Sequence, residues 1–266
     1  KPEGDFDRTA LFESYGRCIE AMGGKYVTAE DVGVGVDDMR AVRRSTRFVA
    51  GLPEGEAASG DPSPVTAKGV FLGLRTAVAR GLGREDLQGV RVVVQGTGHV
   101  GAHLCGLLAE AGAVLTVADV DEDAARVVAE RCGAKLIKPD EVYDQDADVF
   151  APCALGAVIN PDTVDRLKVK VVAGGANNQL SVPEMGERLA ERGVLYAPDY
   201  VINGGGIINV AAEVSGRYDP EWVETKLVQL NKTLETVFDR AKAEGRPTHV
   251  IADEMAQERI ARASGK

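Results

Sequence analysis

Residues 90–101 read VRVVVQGTGHVG, and no other stretch of the chain constrains the fold as strongly. Val92, Val93 and Val94 are apolar on both sides of a strand, as a strand buried within a parallel sheet must be. The strand, expected over Val90–Gln95, runs straight into Gly96-x-Gly98-x-x-Gly101, and a helix is expected from His99 to Ala111. Each glycine has a steric task. Gly96 permits a tight turn, Gly98 lets backbone approach a pyrophosphate, and Gly101 lets the helix lie close to the strand. The first-turn N–H groups of that helix, with its dipole, favour negative charge. A second strand, expected over Val114–Asp119, ends in an acid 119 − 101 = 18 residues past the last glycine. About 20 residues is the spacing at which an acid meets a ribose. A carboxylate at Asp119 accepts from both ribose hydroxyls and repels a 2′-phosphate, so NAD is expected rather than NADP. Asp121 is the rival for that role. Thr97, His99 and Val100 complete the cofactor loop, with His99 read as a solvent-facing residue rather than a catalyst.

The rest of the chain continues the alternation. Leu11, Phe12, Tyr15, Cys18, Ile19 and Met22 recur at helical spacing over Thr9–Met22, and Gly23-Gly24 stops that helix. Lys25–Ala29 is β-prone, and Asp37–Arg44 is a short helix. A helix over Val65–Arg80, closed by Gly81 and Gly83, precedes the glycine motif, and one over Glu122–Arg131 follows it. Strands are expected at Lys135–Ile137, Asp148–Ala151, Val169–Ala173 and Val194–Tyr196, with helix starts at Pro161-Asp162 and Pro183-Glu184. This order implies an α/β fold: a doubly wound Rossmann-type parallel sheet with helices on both faces. Asp219-Pro220 reads as an N-cap before a stripe of Val223, Leu227, Leu230, Leu234, Val237, Phe238 and Ala241. A last helix is expected near Ile251–Ala263. Gly, Pro, Ser and Ala crowd residues 51–64, which marks a boundary. The expected organisation is a partial α/β substrate domain at 1–50, the NAD-binding domain at 51–246, and a C-terminal helix at 247–266 that packs back on the substrate part.

Charge and composition exclude several classes. Forty-one acidic residues against 31 basic ones give a net charge of −10, which repels phosphate backbones, so no nucleic-acid partner is expected. No run approaches eighteen apolar residues, so no membrane span is expected, and KPEGDFDR lacks the apolar core of a signal peptide. Cys18, Cys105, Cys132 and Cys153 form no Cys-x-x-Cys pair and read as buried free thiols of a reducing cytoplasm. His99, His103 and His249 are too scattered for a metal site.

Five further stretches are too specific for a generic nucleotide fold. They are TAEDVG at 28–33, SGDPSPVTAKGV at 59–70, FAPCALG at 150–156, AGGANNQL at 173–180 and YAPDYVINGGGIINVAAE at 196–213. With GTGHVG at 96–101 they resemble, in order and from about Leu11 to Ile260, the leucine/valine/phenylalanine dehydrogenases within the glutamate dehydrogenase family. The resemblance implies oxidative deamination of an L-amino acid to a 2-oxo acid and ammonia, in a dry cleft between two domains of a homo-oligomer. It implies Asp31 as the catalytic aspartate, Thr66 near the nicotinamide amide, and Ala154 and Leu155 bordering the cofactor. It further implies Asn177 between nicotinamide ribose and substrate, and Asn203 shaping the cleft floor. Ile207 and Val210 fall where the family lines its side-chain pocket. Both are apolar and β-branched, which favours leucine, valine or isoleucine over glutamate. One departure stands out. The family's segment with a carboxylate-anchoring lysine and a general-base lysine belongs upstream of Phe12-x-x-Tyr15-Gly16, and Lys1, Lys25 and Lys68 match neither. As given, the chain is expected to carry the cofactor half, the aspartate and part of the pocket, with NAD binding alone as the alternative.

Overall fold

The computed structural model describes residues 6–31, 33–53, 59–216 and 218–265. The backbone divides into two compact units: Lys1–Pro62 with Gly206–Lys226, and Ser63–Gly205 with Leu227–Lys266.

In the larger unit, six strands form one parallel sheet: β1 Arg91–Gln95, β2 Val114–Ala118, β3 Lys135–Leu136, β4 Val149–Pro152, β5 Val171–Val172 and β6 Leu195–Tyr196. Their spatial order is β3-β2-β1-β4-β5-β6, so the chain reverses direction across the sheet between β1 and β4. A doubly wound sheet binds its ligand at such a switch point. Strand alternation sends neighbouring side chains to opposite faces. Val92 and Val94 join one buried cluster with Leu74, Leu104 and Phe238, whereas Val93 joins another with Phe150, Leu167 and Leu189. Helices α3 Ser63–Leu82, α4 His99–Glu110 and α5 Glu122–Cys132 cover the first face, and α6 Glu184–Glu191 the second. This is the fold class expected from the sequence.

Several boundaries differ for physical reasons. Helix α3 runs through Gly81, where a Cβ would stand 2.7 Å from Val171, so that glycine serves packing and does not end the helix. The Pro161 start yields turns over residues 161–166, because Asn160 and Thr163 side chains cap the local backbone instead. Short α7, Asp199–Ile202, and α8, Gly205–Val214, were hidden by the glycines at 204–206. Helix α9, Pro220–Glu244, begins as expected, with Asp219 accepting from Glu221 and Trp222 N–H groups. Helix α10 spans Thr248–Ala263. Among the four free cysteines Cys105 is buried, but Cys18 is exposed rather than buried as expected.

The smaller unit is built from α1 Arg8–Ala21 and α2 Val36–Arg43, with Thr28 and Val49 paired in a single parallel bridge. Its core is Met39, Val42, Val49 and Leu52.

Candidate cofactor and substrate residues

The glycine turn follows β1 and opens α4. Gly96 adopts φ +96, a left-handed conformation that a side chain disfavours, and lies against the Ala154 backbone. A Cβ on Gly101 would overlap the Gly96 carbonyl oxygen. Around Gly98 the space is open, with no atom within 4 Å of where a Cβ would stand. The three positions thus fit the three steric tasks, and the open one lies at the N-terminus of a twelve-residue helix. Such a cradle suits a pyrophosphate.

Asp119 lies just past β2 and ties this turn in place. Its Oδ2 accepts from the Thr97 N–H at 2.6 Å and from the Thr97 hydroxyl at 3.2 Å, and its Oδ1 accepts from the Asp121 N–H at 3.0 Å. Asp121 caps α5 through the Ala124 N–H at 3.0 Å. The two acids therefore divide the work, one bracing the glycine turn and the other starting a helix. His99 is the exposed first residue of α4, and Val100 is half-buried beside it.

Beyond β4 and β5 lie the residues expected at the nicotinamide end. Ala154 and Leu155 are exposed. Asn203 Nδ2 donates to Asn177 Oδ1 at 2.5 Å and to the Gly175 carbonyl at 3.3 Å, so these two distant asparagines meet. Thr66, in the first turn of α3, lies against Gly205, two residues after Asn203, where a Cβ would be 3.1 Å from the Thr66 Cα. Burial pushes the Cys153 thiol up to about 11, so this neighbour of the glycine turn is a protonated packing group.

In the smaller unit, exposed Asp31 lines a cavity of about 350 Å³ with Phe12, Tyr15, Tyr26, Thr28 and Val34. Its carbonyl accepts from the Val34 N–H at 2.9 Å. The turn is held from α1: Arg8 donates to the Gly33 carbonyl at 2.7 Å and makes a two-pronged pair with Asp38 at 2.6 and 2.7 Å. That guanidinium holds the Asp38 carboxyl below its usual range. Tyr15 and Thr28 hydroxyls share a hydrogen bond at 3.1 Å. On α8, Ile207 is exposed and Val210 half-buried. Glu213, on the same helix, accepts from the Gly51 N–H at 2.8 Å and the Ser59 hydroxyl at 2.5 Å. Sequence reasoning missed Arg8 and Glu213, whose partners lie 25 to 162 positions away. Among the described residues no group of three or more His, Cys, Asp or Glu could hold a metal, and no helix is long and apolar enough to cross a membrane.

Residues 116–266 match the model of the Glutamate/Leucine/Phenylalanine/Valine dehydrogenase family. Leucine dehydrogenase of Thermoactinomyces intermedius is 47% identical over 251 residues, which cover 94% of this chain and 68% of that protein. The chain belongs to this family. L-tryptophan dehydrogenase of Nostoc punctiforme, another relative, is 41% identical over 251 residues, covering 94% of this chain and 70% of its own length. A crystal structure of the Nostoc enzyme superposes with a TM-score of 0.80 at 38% identity, over 97% of this chain and 74% of the other. The hetero-hexameric glutamate dehydrogenase of Thermus thermophilus shares the fold, with a TM-score of 0.80 at 24% identity over 99% of this chain and 70% of that one. The motif resemblance is thus borne out: the chain is a member of an amino-acid dehydrogenase family of oxidoreductases that act on CH–NH2 donors, and it spans about two thirds of these relatives' length.

Proposed function

We propose that the protein carries out NAD-dependent oxidative deamination of a branched-chain L-amino acid, giving the 2-oxo acid and ammonia. The observation that carries this reading is one continuous edge of the larger unit: Asp119 bonded to the glycine turn, with the bonded pair Asn177 and Asn203 beyond β5. Gly96 to Gly101 would hold the pyrophosphate, Asp119 the adenosine ribose, and Thr66, Ala154, Leu155 and Asn177 the nicotinamide end. NAD, when bound, supplies the acceptor for the hydride that leaves the substrate Cα. Asp31 takes and returns protons at the substrate amine and the attacking water. Ile207 and Val210 offer an apolar wall without a cation, which suits an aliphatic side chain and disfavours a second carboxylate. In this reading residues 1–50 serve the substrate and 51–246 the cofactor, within a cytoplasmic homo-oligomer.

A second reading, NAD binding without turnover, is favoured by one observation. No lysine is among the described residues lining the Asp31 cavity, and Lys68 lines a different cavity with His103, Glu110 and Arg131. Absorbance of reduced nicotinamide separates the two. The protein is mixed with NAD and, in turn, L-leucine, L-valine, L-isoleucine, L-phenylalanine and L-glutamate. Turnover fastest on the branched-chain substrates supports the first reading, and preference for glutamate overturns it. Saturable NAD binding with no turnover on any substrate supports the second.

A further inference from the structure

Gln179 is wholly buried, so its amide N–H groups must find acceptors within the protein, while its Oε1 has no partner among the described residues. Its Nε2 donates to the Gly174 carbonyl at 2.8 Å and to the Ala176 carbonyl at 3.0 Å. Both carbonyls belong to the turn that leaves β5 and carries Asn177. The Gln179 main-chain carbonyl accepts from the Ile159 N–H at 2.9 Å, beside the bridge that pairs Ile159 with Leu180. One side chain thus fixes a turn at two points, and its backbone anchors that turn to the segment after β4.

The turn needs fixing. Asn178 adopts φ +52 and Ala157 φ +58, and the Ala157 N–H donates to the Asn178 carbonyl at 2.6 Å. Two non-glycine residues in the left-handed region persist only where surrounding contacts over-determine them. Gly156 completes the interlock, since a Cβ there would stand 2.6 Å from the Asn177 carbonyl oxygen and 2.8 Å from that of Asn178. Ala154 and Leu155 run directly into Gly156, which packs against the turn that Gln179 holds from inside. At the other end of the cofactor edge, Asp119 holds Thr97 without help from Gln179.

We infer that Gln179 is a positioning residue for the nicotinamide end of the cofactor site. Its amide sets the turn bearing Asn177 and, through Gly156, the segment bearing Ala154 and Leu155. Being wholly buried, it acts through those residues and not by touching the ligand. The inference rests on the NAD reading above and deepens it.

The test exploits the two ends of the ligand. ADP-ribose contains the adenosine and pyrophosphate but no nicotinamide. Gln179→Met keeps length and apolar packing and removes both N–H donors, and Gln179→Glu keeps shape but leaves at most the single O–H of a buried protonated acid for two carbonyls. Each variant and the parent protein are titrated calorimetrically with NAD and with ADP-ribose. NAD affinity should fall roughly tenfold or more in both variants, because buried carbonyls left unpaired relax the turn, while ADP-ribose affinity stays within about twofold. Equal loss of both ligands, or loss of neither, overturns the inference. A parent protein that binds neither ligand would overturn the NAD reading itself, so the two failures are distinguishable.

Discussion

The glycine turn of the larger unit and the Asp31 turn of the smaller one are fixed by opposite means. At the glycine turn the geometry follows from missing side chains: Gly96 needs its positive φ, and Gly101 has no room for a Cβ. At the Asp31 turn it follows from side chains that are present, chiefly Arg8 reaching Gly33 and Asp38. The first turn tolerates almost no substitution at Gly96 and Gly101, and its remaining brace is the carboxylate of Asp119 on Thr97. A turn set by an ion pair tolerates more and responds to salt and pH.

The largest expected effect separates chemistry from structure at the second turn. Asp31→Asn should lower turnover by about two to four orders of magnitude, the usual contribution of a proton-transfer group. The residue is exposed, so urea unfolding should be unchanged within about 0.5 kcal/mol. Full activity in the variant would remove Asp31 from the mechanism, and a large stability loss would make it structural.

Gly101→Ala and Gly98→Ala test the first turn as a pair. Overpacking typically costs 1–3 kcal/mol, and Gly101→Ala should cost about 3 kcal/mol because backbone, not a flexible side chain, fills the space. Gly98→Ala should fold normally, since its Cβ meets open space, yet weaken NAD binding by calorimetry. If both variants bind NAD like the parent, the glycines are not serving a pyrophosphate.

Asp119→Ala should show a smaller, mixed effect. Loss of an acceptor for the buried Thr97 should cost about 1–2 kcal/mol of stability. Removal of the charge should also narrow the proposed preference for NAD over NADP, read from the ratio of the two dissociation constants. A ratio that stays constant would leave Asp119 as a brace alone.

Legibility in the sequence follows the same division. The glycine turn, β1, β2 and the spacing to Asp119 were readable because each is encoded within about thirty consecutive residues. Asn177 and Asn203 were readable as separate motifs, but their mutual hydrogen bond was not. The roles of Arg8 and Glu213 were invisible, since nothing local to Arg8 points to Asp38, or to Glu213 points to Gly51. Helix α8 was hidden for another reason: glycine clusters read as breakers, yet here they let the chain pass close to Thr66 before the helix continues.

The Arg8–Asp38 pair predicts an acid response in the smaller unit. Asp38 is depressed by Arg8, so in the folded chain it holds its charge at pH values where the unfolded chain has begun to take up a proton. Its stabilisation is therefore present above the ordinary carboxylate range and is lost as pH falls through the depressed value. Arg8 is nearly half exposed, so solvent screens the pair and the effect should be modest. Protection of the amides of residues 33–38, taken against the intrinsic exchange rate at each pH, should fall in acid in the parent protein. In Asp38→Asn the same residues should be less protected at neutral pH, with little further change on acidification. A parent protein whose Asp31 turn is protected alike at both pH values would show that the turn is set by its backbone after all, and the contrast between the two regions would fail.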